Sequence, residues 1–150
     1  MRAEVVLGIG VVALAAVAGA VVLLRRRLLV VTVFGLSMQP TLRAGERLLA
    51  RRGMGTTGDI VVVRNPKADP PLLVKRLAAG PGEELPEVLG GGVVPEGKVA
   101  VLGDNPRHSL DSRHFGLLPV TDVVGVALRR LGGGALPSAV PVDDVLPESG

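Results

Sequence analysis

Leu28-Leu29-Val30-Val31-Thr32-Val33-Phe34 is rich in β-branched side chains, is too short for a core helix, and ends at Gly35. Such a run reads as a strand. Working outward, similar runs recur at Arg47 to Arg51, Asp59 to Arg64, Leu72 to Ala78, Lys98 to Leu102 and Val120 to Arg129. Gly or Pro separates nearly all of them, as at Gly45, Gly53, Gly58, Pro66, Pro70, Pro71, Gly80, Pro81, Gly82 and the Gly90-Gly91-Gly92 turn. Short strands with this punctuation predict a mostly-β domain. There is no long amphipathic helix pattern and no internal repeat.

Upstream of the first strand, Val5 to Leu24 is twenty residues without a charged or polar side chain. At ~1.5 Å per residue, this helix is about as long as the hydrocarbon core of a bilayer is thick. Ala16-Val17-Ala18 and Ala18-Gly19-Ala20 offer small residues of the kind found at a leader cleavage site, but the apolar run continues past them and stops at Arg25-Arg26-Arg27. That ending favours one N-terminal transmembrane helix over a cleaved signal peptide. Downstream, residues 132–150 open on Gly-Gly-Gly and become acidic and Pro-containing, a composition that buries little; they read as a flexible tail. The expected organisation is therefore an anchor with a basic flank at 1–27, a β-domain at 28–131, and the tail.

Composition narrows the chemistry. The 150 residues are 47% apolar and 21% charged, with no Cys, which excludes a disulfide scaffold, a Cys-ligated zinc and a thiol nucleophile. With two His, a His-rich metal centre is not expected. The formal charge is +3, but residues 1–27 hold Arg2, Arg25, Arg26 and Arg27 against Glu4, leaving 13 basic and 13 acidic side chains in the remainder. Phe34 and Phe115 are the only aromatic residues. A neutral, aromatic-poor domain offers neither the basic surface nor the stacking platforms of a nucleic-acid binder.

Three segments carry unusual polar residues. In Gly35-Leu36-Ser37-Met38-Gln39-Pro40-Thr41-Leu42, Ser37 follows a strand and precedes a Gln-Pro step, so it lies on a loop with its hydroxyl presented; by itself this is also how an ordinary turn begins. It is not a hydrolase nucleophile elbow, because Gln39 stands where the second Gly would be. In Leu72-Leu73-Val74-Lys75-Arg76-Leu77, two charges interrupt an apolar strand. Alternation places Lys75 and Arg76 on opposite faces, so one of them is expected to point to the packed side; an edge strand with both solvated is the alternative. The chain has 14 Arg and 3 Lys, so its basic positions default to Arg, which keeps its proton; a desolvated Lys can become a neutral base. The third segment, Gly103 to Gly116, crowds Asp104, Asn105, Arg107, His108, Ser109, Asp111, Ser112, Arg113 and His114 around Pro106. It is either a hydrophilic loop or a hydrogen-bonded network that holds another group in place.

Two other patterns are set aside. Gly92 to Val99 nearly spells a phosphate-binding loop, but Val99 replaces the hydroxyl residue and no helix pattern follows. His108 or His114, oriented by Asp104 or Asp111, is the runner-up base for Ser37, in a Ser-His-Asp triad.

Taken in order behind the anchor, four blocks resemble the type I signal peptidases, membrane-anchored proteases with a Ser/Lys dyad. They are Ser37-Met38-Gln39-Pro40-Thr41-Leu42, Gly58-Asp59-Ile60-Val61-Val62-Val63, Val74-Lys75-Arg76, and Gly103-Asp104-Asn105 through Ser109, Asp111-Ser112-Arg113 and Gly116. The resemblance runs from the anchor to about Leu131. It implies Ser37 as nucleophile, Lys75 as general base, Ser109 as the residue that positions the Lys amine, and Asp111 with Arg113 as a supporting ion pair. It also implies an oxyanion hole built on the nucleophile's own backbone N–H; many members add a hydroxyl two residues earlier, where this chain has Gly35. No cofactor or metal is implied. The partners would be precursor proteins with leader peptides, cut after an Ala-x-Ala type motif, and the lipid bilayer. The chain is short for the family, which implies the catalytic β-domain without a large inserted second domain.

The side of the membrane is contested within the sequence. The Arg triplet favours a cytoplasmic domain, whereas a general signal peptidase works outside. The four blocks outweigh a bias of about two charges, so the expectation is a single-pass cell-membrane protein with an extracytoplasmic catalytic domain. A cytoplasmic placement would favour a maturation protease of the same family for one precursor, such as that of a nickel-type superoxide dismutase. A LexA-like regulator would carry a DNA-binding module in place of the anchor. A non-catalytic anchored binding domain would keep the β-fold and tolerate loss of Ser37.

Overall fold

In the computed structural model, which describes residues 2–65, 69, 71–133 and 136, helix α1 (Arg2–Arg27) runs into strand β1 (Leu28–Thr32) with no residue between them. Val6–Arg27 is long and apolar enough to cross a membrane and lies unburied by the rest of the chain. Its apolar side chains cover the whole circumference, unlike a helix that docks one face on a core. Arg25, Arg26 and Arg27 occupy its last turn, where cations meet the negative end of the helix dipole.

The remainder is a seven-stranded antiparallel sheet. After β1 come β2 (Arg47–Arg52), β3 (Ile60–Arg64), β4 (Leu72–Ala79), β5 (Lys98–Leu102), the one-turn helix α2 (Ser112–Phe115), β6 (Leu118–Pro119) and β7 (Val123–Leu131), in the spatial order β1-β2-β7-β3-β4-β5-β6. The expected mostly-β fold is observed, and each expected run contains a strand. β1 ends at Thr32 because Val33 leaves the ladder to exchange hydrogen bonds with Glu46 and Gly45. β7 starts late because Val120–Asp122 form a 3-10 turn. The short α2 and β6 have no periodic signal in the sequence; Asp111 starts α2 by accepting the Arg113 N–H.

Three ladders carry an extra residue, between Leu49 and Ala50 (β2–β7), Val62 and Val63 (β3–β7), and Leu77 and Ala79 (β4–β5). Such bulges increase local twist, and here both faces of the central strands are covered. Val61, Val62 and Val63 are all fully buried, with Val62 in one apolar cluster and its two neighbours in another. β4 is buried from Val74 through Ala79. The expectation that one of Lys75 and Arg76 faces the packed side is corrected on this point: both are buried, at 3% and 2% exposure, and the solvated edge strand is excluded. The tail expected at 132–150 lies outside the described residues except for 132, 133 and 136.

Candidate active site

Gly35, with φ of +74°, takes the left-handed conformation that a side chain disfavours and turns the chain out of β1. Ser37 follows, half-buried. Met38 and Leu42, each 1% exposed, hold the turn in the core. From the other side Asn105 clamps it: its backbone N–H donates to the Ser37 carbonyl at 2.9 Å and its Nδ2 donates to the Leu36 carbonyl at 3.0 Å. The Ser37 N–H has no hydrogen-bond partner among the described residues.

Lys75 stands in the middle of β4, paired with the fully buried Val61. It lines, together with Ser37, a cavity of about 390 Å³ whose walls include Phe34, Leu36, Leu72, Leu73 and Leu110. Burial lowers the Lys75 pKa to about 8; Asp111 opposes this shift and Arg113 adds to it. Among the described residues no hydrogen bond reaches its amine.

Behind Lys75 lies the Asp111 carboxylate, fully buried. It accepts from the Gly103 N–H (2.8 Å), the Ser109 hydroxyl (2.5 Å), and Arg113 Nε (2.9 Å) and Nη2 (2.6 Å). Burial alone would raise its pKa, but the bonds from Arg113, Ser109 and Gly103 hold it below the usual carboxylate range. Ser109 spends its proton on Asp111, so its oxygen lone pairs are left to accept. Gly103 sits where these pieces meet. A Cβ there would lie 2.1 Å from Ser109 Oγ and 2.7 Å from the Ser37 carbonyl oxygen.

A second buried network went unassigned in the sequence. Arg76 donates through Nε (2.8 Å) and Nη2 (2.6 Å) to Asp104, and through Nη1 to the Gly58 carbonyl (2.7 Å); Thr41 adds its hydroxyl to the same carboxylate at 2.5 Å. Thr41 belongs to the Ser37 loop, Arg76 adjoins Lys75, and Asp104 leads to Asn105, so this network ties both halves of the site together. The signal was available: a strand Arg beside the Lys requires a buried carboxylate, and Asp104 and Asp111 were the candidates.

The triad residues are arranged differently from the triad reading. His114 lies 3.8 Å from Asp111 but is half exposed and does not line the Ser37 cavity. His108 lines the cavity, but its ring partner is Asn105 at 3.4 Å. Asp104 is committed to Arg76. Asp69 and His108 both line the Ser37 cavity, but among the described residues no hydrogen bond or ion pair joins them.

A seven-stranded curled sheet that brings a loop Ser and a buried Lys to one cavity defines a class of hydrolase, and comparison places the chain within it. The family described as signal peptidase, peptidase S26 matches residues 3–87 and 83–131; the chain belongs to this family, and the type I signal peptidase resemblance holds. It is 39% identical over 113 residues to the mitochondrial ATP-independent inner membrane protease subunit 1a of Arabidopsis thaliana, covering 66% of this chain and 67% of that one. Signal peptidase I V of Bacillus subtilis is 30% identical over 136 residues, 63% of this chain and 80% of its own. The mitochondrial inner membrane protease subunit 1 of Schizosaccharomyces pombe is 32% identical over 108 residues, covering 65% and 69%.

Proposed function

We propose that the chain is a membrane-anchored leader peptidase that cuts precursor proteins with a Ser37/Lys75 dyad. The observation that carries this reading is a buried Lys on the same cavity as a loop Ser. The neutral Lys75 amine removes the Ser37 hydroxyl proton as Oγ attacks the scissile carbonyl. The Ser37 N–H is free to receive the oxyanion. Lys75 then passes its proton to the departing amine, leaving an acyl-Ser37, and next takes a proton from the water that releases the acid. Ser109, with its own proton on Asp111, has lone pairs left to accept from the Lys ammonium when it forms in the reaction. Asp111 and Arg113 hold Ser109 and Gly103.

The substrate path follows from unused strand edges. Among the described residues β1 pairs on one side only, with β2, and the β5 ladder on β4 begins at Arg76, so residues 72–75 also have an open edge. These edges flank the cavity, and an extended leader can add to them through its backbone, with small side chains seated in the apolar wall. The domain works at the outer surface of the cell membrane, with α1 as its single span. Incubation of the full chain in detergent with a leader-bearing precursor tests the chemistry: Ser37→Ala and Lys75→Ala abolish cleavage, and His108→Ala with His114→Ala leaves substantial activity. Loss of activity in the His double variant with activity retained in Lys75→Ala would overturn the dyad. Protease protection of residues 28–150 in sealed vesicles tests the side.

A further inference from the structure

Arg25, Arg26 and Arg27 close α1, and the ladder pair Leu28↔Arg51 brings the end of β2 to the same level, with Arg52 one residue further along. A folded strand thus adds two Arg, distant in sequence, to the triplet at the foot of the helix. All five side chains are exposed, and among the described residues none joins an ion pair. Beside them a groove of about 330 Å³ runs from the helix onto the sheet, lined by Val21, Leu24, Leu28, Leu29 and Val30, with Arg25 at its side. An exposed cluster of Arg at the foot of the helix, one of which (Arg25) lines the apolar groove, matches a ligand with an anionic head and an apolar tail.

We propose that this collar binds anionic phospholipid of the leaflet next to the catalytic domain, with headgroup phosphates on the Arg side chains and an acyl chain in the groove. The inference rests on α1 spanning a bilayer, as proposed above. Guanidinium groups take phosphate oxygens in a two-pronged geometry, and their stems lie along apolar surface while the charged ends reach the headgroups. The attraction of such a cluster to an anionic headgroup weakens with salt.

The test is spin-label selectivity of the full chain in vesicles, comparing spin-labelled phosphatidylglycerol with phosphatidylcholine in the protein-bound lipid fraction. The wild type should favour phosphatidylglycerol by several-fold, with the preference reduced at high salt. Arg51→Gln with Arg52→Gln should cut the preference at least about two-fold, whereas Arg43→Gln with Arg47→Gln, an equal charge loss at the far end of β2, should not. Equal retention of the two lipids by the wild type overturns the proposal, as does a β2-end variant that keeps the full preference. A chain that is washed from neutral vesicles by alkaline carbonate overturns the anchor reading and this inference with it; insertion without selectivity overturns only the collar.

Discussion

In the proposed mechanism Lys75 is the residue on which the chemistry turns, and its burial has measurable consequences. Its amine is a base only when neutral, so activity should rise with pH through about 8 and level off above it. A rate that is flat from mildly acidic pH upward would contradict an amine base. Arg113 lowers the Lys75 pKa and also neutralises Asp111, which raises it. Arg113→Gln should therefore move the midpoint of the pH–activity profile upward, whereas a purely structural role would lower the rate without shifting the midpoint. Stability carries the opposite signature. The pKa is depressed in the folded state, so the folded chain binds fewer protons there than the unfolded chain does. The penalty is full below pH 8 and disappears as pH rises toward 10.5. Lys75→Met should accordingly stabilise the fold by on the order of 3 kcal/mol at pH 6–7 and by little at pH 10, as read by denaturant unfolding, while abolishing activity.

At the scale of elements, β4 carries the site by presenting Lys75 to the cavity and Arg76 to the opposite side. Removing one partner of a buried ion pair strands the other, at a cost of about 3–5 kcal/mol. Asp104→Asn should destabilise the domain by that order and lower activity with it, because the carboxylate joins the Ser37 loop to β4. Arg76→Met combined with Asp104→Leu should recover much of the stability, since neither charge is then left alone. The strands were legible because β-branched runs between Gly and Pro give a strong local signal. Ser37, Lys75, Ser109, Asp111 and Arg113 were legible as polar residues in unusual settings, sharpened by the family pattern. The Arg76–Asp104–Thr41 network was not, because its members are 28 and 63 residues apart. Sheet curvature brings them together, and three bulges that leave no local mark in the sequence help to set it. Strand alternation did set Lys75 and Arg76 on opposite sides; the expectation that only one is packed fails because it assumes one wet face, and both side chains of β4 are buried at that point.

For the whole molecule, the relation of helix to sheet matters most. No loop separates Arg27 from Leu28, which leaves the sheet a shorter joint to its helix than a tethered domain would have. β1 rises about 17 Å along its five residues, and Ser37 follows a short turn beyond its end. If α1 is embedded as proposed, the scissile bond would come to a narrow range of heights above the lipid. The enzyme would act as a ruler: a leader is cut where its chain, emerging from its own apolar segment, first reaches that height with small side chains in place. Lengthening the joint by four flexible residues should blur this stand-off, seen by mass spectrometry as products cut at several neighbouring bonds where the native chain cuts at one.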